Sequence, residues 1–538
     1  MKKRVVSAML AVAMVGSLMA ACSNNNGGGG TSSGGSATDR DYDSGELYAK
    51  AKMSEEPISP KFMLRTNETF TKDTEAYKWI GEITNIYFEP VPVPLSAYDE
   101  KISAVMASGD LPDFQALRTP VIAKQYGPQG AFVNLSEQMD NGKMPNLVAR
   151  LDEGPDDAYT VLKAPDGNIY GAPRIYTYDM LHESFAGRAD LMQKWGFGER
   201  FETFDDLYKY FQKCKEEYPD STPVGSKWGV DTLFNGFGHQ WDAWIDLAYL
   251  NPADKKTYIA GPLQPNFKPM LEYFHNMYKD GILDPEWASC SDEQFKEKIL
   301  NDKIFFSFEY MSETDEMDTS GKTRNPEFSW KPFIPPAYGD RMKVGMADCY
   351  HRIYQTLKCI SAKSKYIDEL VQFTDWMYSK EGSDVINYGK KGETFDYDDN
   401  GNVVLDEKVK TSKNLGGTID LGKIGVAAEW TSIESEENEK LKSLGPIAIE
   451  AQKKHREAGA VMFQQPSLTF EDEDLNRRNE LSAPMTTYRQ EMMTKFTTGE
   501  EPISNYDKFV EQLKAYGIEE LVSIYQKTYD AQMALADK

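Results

Sequence analysis

Histidine and cysteine are scarce, with five of each in 538 residues. The histidines stand far apart, at 182, 239, 275, 351 and 455, so the sequence spells neither a His-rich metal tract nor a compact triad. No cysteine pair has the C-x-x-C spacing of a zinc or thiol-redox motif. H-E-x-x-H, G-x-S-x-G and G-x-G-x-x-G are all missing, which removes the zincin, nucleophile-elbow and dinucleotide-binding signatures. Positive charge is short as well: 60 Lys+Arg face 85 Asp+Glu, a net charge of -25. Phosphate backbones and anionic lipid surfaces need clustered cations, so both are disfavoured partners. Beyond the N-terminus, no apolar run approaches the roughly 18 residues of a membrane-spanning helix.

Aromatic residues are plentiful. Thirty Tyr, 26 Phe and 9 Trp exclude a disordered chain, and the length suits two or more lobes around a sizeable core. At the N-terminus, Lys2, Lys3 and Arg4 precede the apolar stretch Val5 to Leu18. At about 1.5 Å per residue that stretch is too short for a hydrocarbon core of about 30 Å, so residues 1–21 are expected to be a signal peptide. The order Met19-Ala20-Ala21-Cys22 resembles a bacterial lipoprotein signal, which implies acylation of Cys22 and a lipid anchor at the extracytoplasmic face of the cell membrane. Loss of residues 1–21 removes three basic and no acidic groups, taking the net charge from -25 to -28. Residues 23–36 hold only Ser, Asn, Gly and Thr, a flexible composition, so 22–57 reads as a tether with a reach of roughly 33 Å.

Strand and helix patterns alternate from there. Pro60–Thr66 and Ile86–Val93 read as strands; Asp73–Thr84 and Tyr98–Ala107 read as helices, the pattern of an α/β lobe. Asp166-Gly167 carries a hairpin-turn signal. Longer helices are expected over Phe204–Glu217, Phe267–Lys279, Tyr366–Tyr378, Pro446–Ala458, Asn476–Phe496 and Asn505–Ala536. The segment Gly236-Phe237-Gly238-His239-Gln240-Trp241 reads as a loop entering a helix.

Two motifs invite chemistry. Gly417 to Lys423 spells G-x-x-x-x-G-K, but Ile424 stands where a phosphate-binding loop needs Ser or Thr. Asp396, Asp398 and Asn400, with Gly401 and Glu407, satisfy a calcium-loop pattern. The same residues fit a β-hairpin turning at Asn400-Gly401, and no helix leads in. The two readings stay open, as does the choice between free thiols and a bridge for Cys349 and Cys359. No other metal or cofactor is expected. Aromatics next to polar groups recur at Arg174, Tyr176, Tyr178 and Asp179, at Trp241 and Trp244, at Glu309 and Tyr310, and at Trp430. Flat rings suit the apolar C–H faces of sugars, and carboxylate or guanidinium groups suit their hydroxyl edges.

Several segments carry a resemblance. They are Val105-Met106-Ala107-Ser108-Gly109-Asp110-Leu111-Pro112-Asp113, Gly130 to Leu135, Ala164 to Pro173, Arg188 to Leu191, Tyr278 to Glu286 (YKDGILDPE), Asn387 to Asp396 and Tyr506 to Ala531. In order along the mature chain, they resemble the extracellular solute-binding protein family 1 of carbohydrate ABC transporters, similar to its alginate-oligosaccharide-binding members and long Gram-positive lipoproteins. The resemblance implies a type II periplasmic-binding fold, with a hinge and a cleft between two α/β lobes. Lobe I is expected over 58–178 and 310–405, and lobe II over 179–309 and 406–538. It also implies a monomeric binding protein, not an enzyme, that hands an oligosaccharide to permease subunits. By position Tyr176, Tyr310, Trp430 and the 236–244 loop with Trp241 and Trp244 fall where the resemblance implies cleft contacts; Arg174, Tyr178, Asp179 and Glu309 join them as expected ligand contacts from the residue reading. Calcium-binding relatives carry a D-P-N-G-N-G-type loop after the helix matching Phe204–Glu217; Tyr218 to Pro223 lacks it. A secreted glycan-degrading enzyme, a peptide- or lipid-binding relative, and a purely structural surface lipoprotein are the competing readings.

Overall fold

The run Phe62-Met63-Leu64 is fully buried, as expected of a strand covered on both faces. It lies in β1 (Lys61–Arg65), which pairs in parallel with β2 (Glu89–Val93) and β3 (Phe114–Leu117). The helices Glu75–Thr84 and Tyr98–Ser108 make the two crossovers, each ending at a left-handed residue, Asn85 and Gly109. The computed structural model describes residues 52–536 apart from 119, 156, 340–343, 350, 351, 412, 413, 415, 428 and 467. The signal segment 1–21, Cys22 and most of the expected tether lie outside the described residues.

The remaining strands are β4 (Ala172–Tyr176), β5 (Glu183–Arg188), β6 (Tyr249–Leu250), β7 (Tyr258–Ile259), β8 (Phe306–Tyr310), β9 (Trp330–Phe333), β10 (Ile353–Ile360), β11 (Phe395–Tyr397), β12 (Val403–Leu405) and β13 (Ile433–Glu434). Six form one mixed sheet in the order β13-β4-β10-β3-β1-β2, with β10 antiparallel to β3 and β4. Three form an antiparallel sheet, β8-β5-β9, in register Phe185↔Phe308 and Phe185↔Phe333. β6 with β7 and β11 with β12 are two-stranded ribbons. Each main sheet has its own large apolar core. One gathers Phe62, Phe88, Phe114 and Phe373; the other gathers Phe185, Phe204, Phe237 and Phe306, and extends to Met485 and Phe509 on the C-terminal helices. The architecture is the expected α/β class.

The chain passes from the first sheet to the second through residues 177–182, between β4 and β5. It returns between β9 and β10, where 334–339 and 344–349 are described, and leaves again after β13. Isolated bridges Leu181↔Cys349 and Ala347↔Val461 lace these crossings together. The pairing moves two stretches from their expected lobes. Residues 311–333 continue the sheet of β5 through the helix Thr314–Lys322 and β9, and β13 rejoins the sheet of β4. Strand order is a long-range property that local periodicity does not encode.

Helices Phe204–Glu217 and Phe267–Lys279 match their expected bounds, and the helix Pro446–Glu457 opens on proline as anticipated. The expected C-terminal helix 505–536 is two helices, Tyr506–Ala515 and Ile518–Ala536, separated at Gly517 with φ +96. The segment 236–241 is not a loop entering a helix but the end of the helix Val230–Gln240. Its Gly236 serves close packing, since an added Cβ would lie 2.3 Å from the Phe308 ring. Asp166-Gly167 makes a turn, closed by Gly167 N–H donating to Ala164 O at 2.9 Å, without a flanking strand ladder.

Candidate ligand-binding site

Trp228 is 48% exposed and is held at φ 65 between buried Lys227 and Gly229, just before the helix Val230–Gln240. A bulky residue in the left-handed region costs on the order of 1 kcal/mol, so the surroundings must hold it there. They do so from both sides. The Trp228 ring lies 5.0 Å from that of Tyr310, and the Lys227 Nζ sits 4.0 Å from its centroid. Tyr310, at the end of β8, meets His182 edge-on at 4.3 Å. Lys227 is fixed in turn by Asp292 at 2.6 Å, Glu313 at 2.9 Å and Glu309 at 3.3 Å. Burial opposes the Lys227 ammonium, but these carboxylates outweigh it and hold its pKa above the ordinary value. Burial pushes Glu309 up to about 7, although Lys227 draws it down.

A second polar group stands where β4 enters the crossing. Burial works against the Arg174 guanidinium, yet Tyr176 and Glu434 keep its pKa raised. Glu434 on β13 takes an ion pair from Lys442 at 2.8 Å. Burial alone would raise the Glu434 pKa; Lys442, Glu439 and Arg174 together hold it low, while burial and Glu434 push Glu439 up to about 7. Arg456 lies 5.7 Å from the Tyr178 ring centroid and donates to Asp179 O at 2.9 Å. These aromatic and charged groups can stack on and hydrogen-bond a polyhydroxylated ligand.

A third cluster lies on the crossings themselves. His182, Glu183 and Asp348 each offer a ligand atom, and the three atoms lie within 4.8 Å of one another. Burial, with Asp348 and Glu309 nearby, pushes Glu183 up to about 8; burial draws His182 down to about 4.

Of the expected contacts, Tyr178, Asp179, Arg174 and Tyr310 keep accessible surface. The others are buried or covered by neighbouring side chains. Trp430 is 1% exposed and packs 4.2 Å from Phe62 and 5.0 Å from Phe88, in the first core. Trp241 stacks on Tyr338 at 3.7 Å and Trp244 on Tyr249 at 4.8 Å, so protein rings already cover them. Tyr176 is buried, and Glu309 is committed to Lys227. Trp228, which the sequence reading does not single out, is the exposed ring beside Tyr310.

The Asp396–Glu407 segment resolves as the hairpin. β11 pairs with β12, and Asp398 Oδ1 accepts from the backbone N–H of Asn400 and of Asn402, each at 2.9 Å. The carboxylates of Asp396, Asp398 and Glu407 do not converge; among the described residues the converging group is the one at His182. Cys349 and Cys359 are free thiols. Among the described residues, no helix is long and apolar enough to cross a membrane.

No family model matches the chain. It is similar to lipoprotein LipO of Bacillus subtilis (strain 168), 23% identical over 386 residues, spanning 68% of this chain and 72% of that one. It is 21% identical over 480 residues to FusA, the fructooligosaccharide ABC transporter substrate-binding protein of Streptococcus pneumoniae serotype 4, spanning 82% and 84%. Among solved structures, alginate-binding protein AlgQ2 without calcium ion matches with a TM-score of 0.75 at 21% identity, covering 89% of this chain and 99% of that one. FusA in complex with kestose matches at 0.70 and 19%, covering 89% and 100%.

Proposed function

The chain has the fold of the solute-binding proteins that serve carbohydrate ABC transporters, and from that premise we propose that it captures an oligosaccharide outside the cytoplasm and delivers it intact to a permease. Trp228 carries the proposal: an exposed ring held in a strained conformation beside Tyr310, where the crossings between the two sheets begin. Residues held at such cost cluster at ligand clamps. Sugars offer flat C–H faces to such rings, and Tyr178, Asp179 and Arg174 add hydrogen-bonding groups at the other end of the crossing.

The two sheets with their separate cores act as lobes I and II, and the laced crossings at 177–182 and 344–349 act as the hinge. Lys227 and Lys442 are engaged by carboxylates, and Arg174 by Tyr176 and the charge of Glu434, which leaves a surface suited to neutral rather than acidic sugars. The protein does no covalent chemistry on its ligand, acts as a monomer and needs no cofactor for capture. Cys22, acylated after removal of 1–21, anchors it to the cell membrane through the 22–57 tether. The name of LipO and the transport role of FusA support that assignment. A thermal-shift panel of neutral and acidic oligosaccharides, followed by calorimetry on the strongest hit, tests the function. Tight binding with the glycan recovered unchanged is the expected result. No binding across the panel, or recovery of shortened products, rejects the receptor and favours the secreted enzyme.

A further inference from the structure

His182 and Glu183 stand at the start of β5, opposite Asp348 on the returning crossing. The backbone fixes this register: His182 N–H donates to Asp348 O at 2.8 Å and Asp348 N–H to Glu183 O at 2.9 Å. His182 Nδ1 lies 3.6 Å from Glu183 Oε2. His239, 6% exposed, stands in the last turn of the helix Val230–Gln240. Its Nδ1 is 3.1 Å from Asp348 Oδ1, yet both atoms are shielded from solvent and neither completes a well-formed hydrogen bond. Gln240, the next residue, holds that helix end in place. Its Nε2 donates to Met346 O at 2.7 Å, and its Oε1 accepts from Met346 N–H at 2.6 Å.

We propose that His182, Glu183 and Asp348, with His239 Nδ1 beside Asp348, form a divalent-cation site of the zinc class. Two imidazoles with two carboxylates suit a borderline cation such as Zn2+ rather than calcium, which prefers six to eight oxygens. Ligands about 2.1 Å from a tetrahedral ion stand about 3.4 Å apart. The 3.6 and 3.1 Å contacts already fit that spacing, and the three ligand atoms of His182, Glu183 and Asp348 all lie within 4.8 Å of one another. The ion would fasten the outgoing crossing, the returning crossing and the helix that follows Trp228. His182 also packs edge-on against Tyr310, so the site adjoins the proposed sugar surface; metal uptake is read without any sugar and is decided separately from sugar binding.

The test is calorimetric titration of the chelator-stripped full chain with Zn2+, Mn2+ and Ca2+, with Asp398→Asn in the hairpin as control. One Zn2+ per chain is expected, bound more tightly than Mn2+ or Ca2+, with a melting temperature higher by several degrees at ~100-fold excess over Kd. Asp348→Asn and His182→Ala should each weaken Zn2+ at least about tenfold, while the control binds like wild type. Wild-type protein loaded with Co2+ gives a readout that needs no variant: visible absorption from nitrogen-ligated cobalt, abolished by excess Zn2+. No Zn2+ uptake, equal affinity for Ca2+, unchanged affinity in both variants, or colourless Co2+-loaded protein each overturns the site.

Discussion

Replacing Trp228 by alanine separates a ligand platform from a structural aromatic. A tryptophan side chain presents up to ~250 Å2, and Trp228 leaves 48% of its surface open, so about 100 Å2 remains for a sugar to cover. At ~25 cal/mol/Å2 that is about 2.5 kcal/mol, and ordering losses bring the expected weakening to about 1–3 kcal/mol, roughly 5- to 150-fold in Kd. Stability should respond differently. The ring loses its contacts with Tyr310 and Lys227, each worth about 1 kcal/mol, while the left-handed conformation becomes less costly with a smaller side chain. The net change in unfolding free energy should stay within about 1 kcal/mol, and Trp228→Gly, which relieves the strain entirely, should be at least as stable as Trp228→Ala. Calorimetry with the tightest panel oligosaccharide and chemical denaturation of the free protein measure the two effects. Unchanged affinity in Trp228→Ala, or a stability loss of core size, refutes the assignment.

Trp430→Ala should show the opposite pattern, losing about 3–5 kcal/mol in urea denaturation as a deleted core aromatic does, with any loss of binding following unfolding. Gly236→Ala drives a methyl against Phe308 and should lower stability by about 1–3 kcal/mol in the same assay. Burial draws Lys124 down to about 7 although its Nζ donates to Val161 O at 2.7 Å and Thr469 Oγ1 at 2.6 Å. Between pH 7 and 10 the unfolded chain therefore binds more protons at this site than the folded one, so stability gains with rising pH; Lys124→Met should flatten that rise, and an identical pH profile contradicts it. Millimolar calcium should leave the thermal melting of the protein unchanged through the Asp396–Glu407 hairpin, and a shift abolished by Asp398→Asn contradicts that account.

The sequence made the local elements readable because their signals are local. Phe204–Glu217 and Phe267–Lys279 carry clean helical faces, and Lys61–Arg65 a short apolar run between turns. Lobe boundaries were not readable, since nothing in Trp330–Phe333 or Ile433–Glu434 says which sheet each strand joins. Aromatic abundance misled for a related reason: Trp430, Trp241 and Trp244 look no different in sequence from Trp228, and only packing distinguishes a ring held by other rings from one left open. His182 with Glu183, Asp348 and His239 come from three places in the chain that only the fold brings together.

The most direct measurement is equilibrium binding of an oligosaccharide panel to the intact protein, with mass spectrometry of the ligand afterwards. Saturable binding of a neutral glycan that quenches Trp228 fluorescence and returns at its original mass is the result expected of a hinged receptor. A glycan that is ignored, or that returns cleaved, contradicts it.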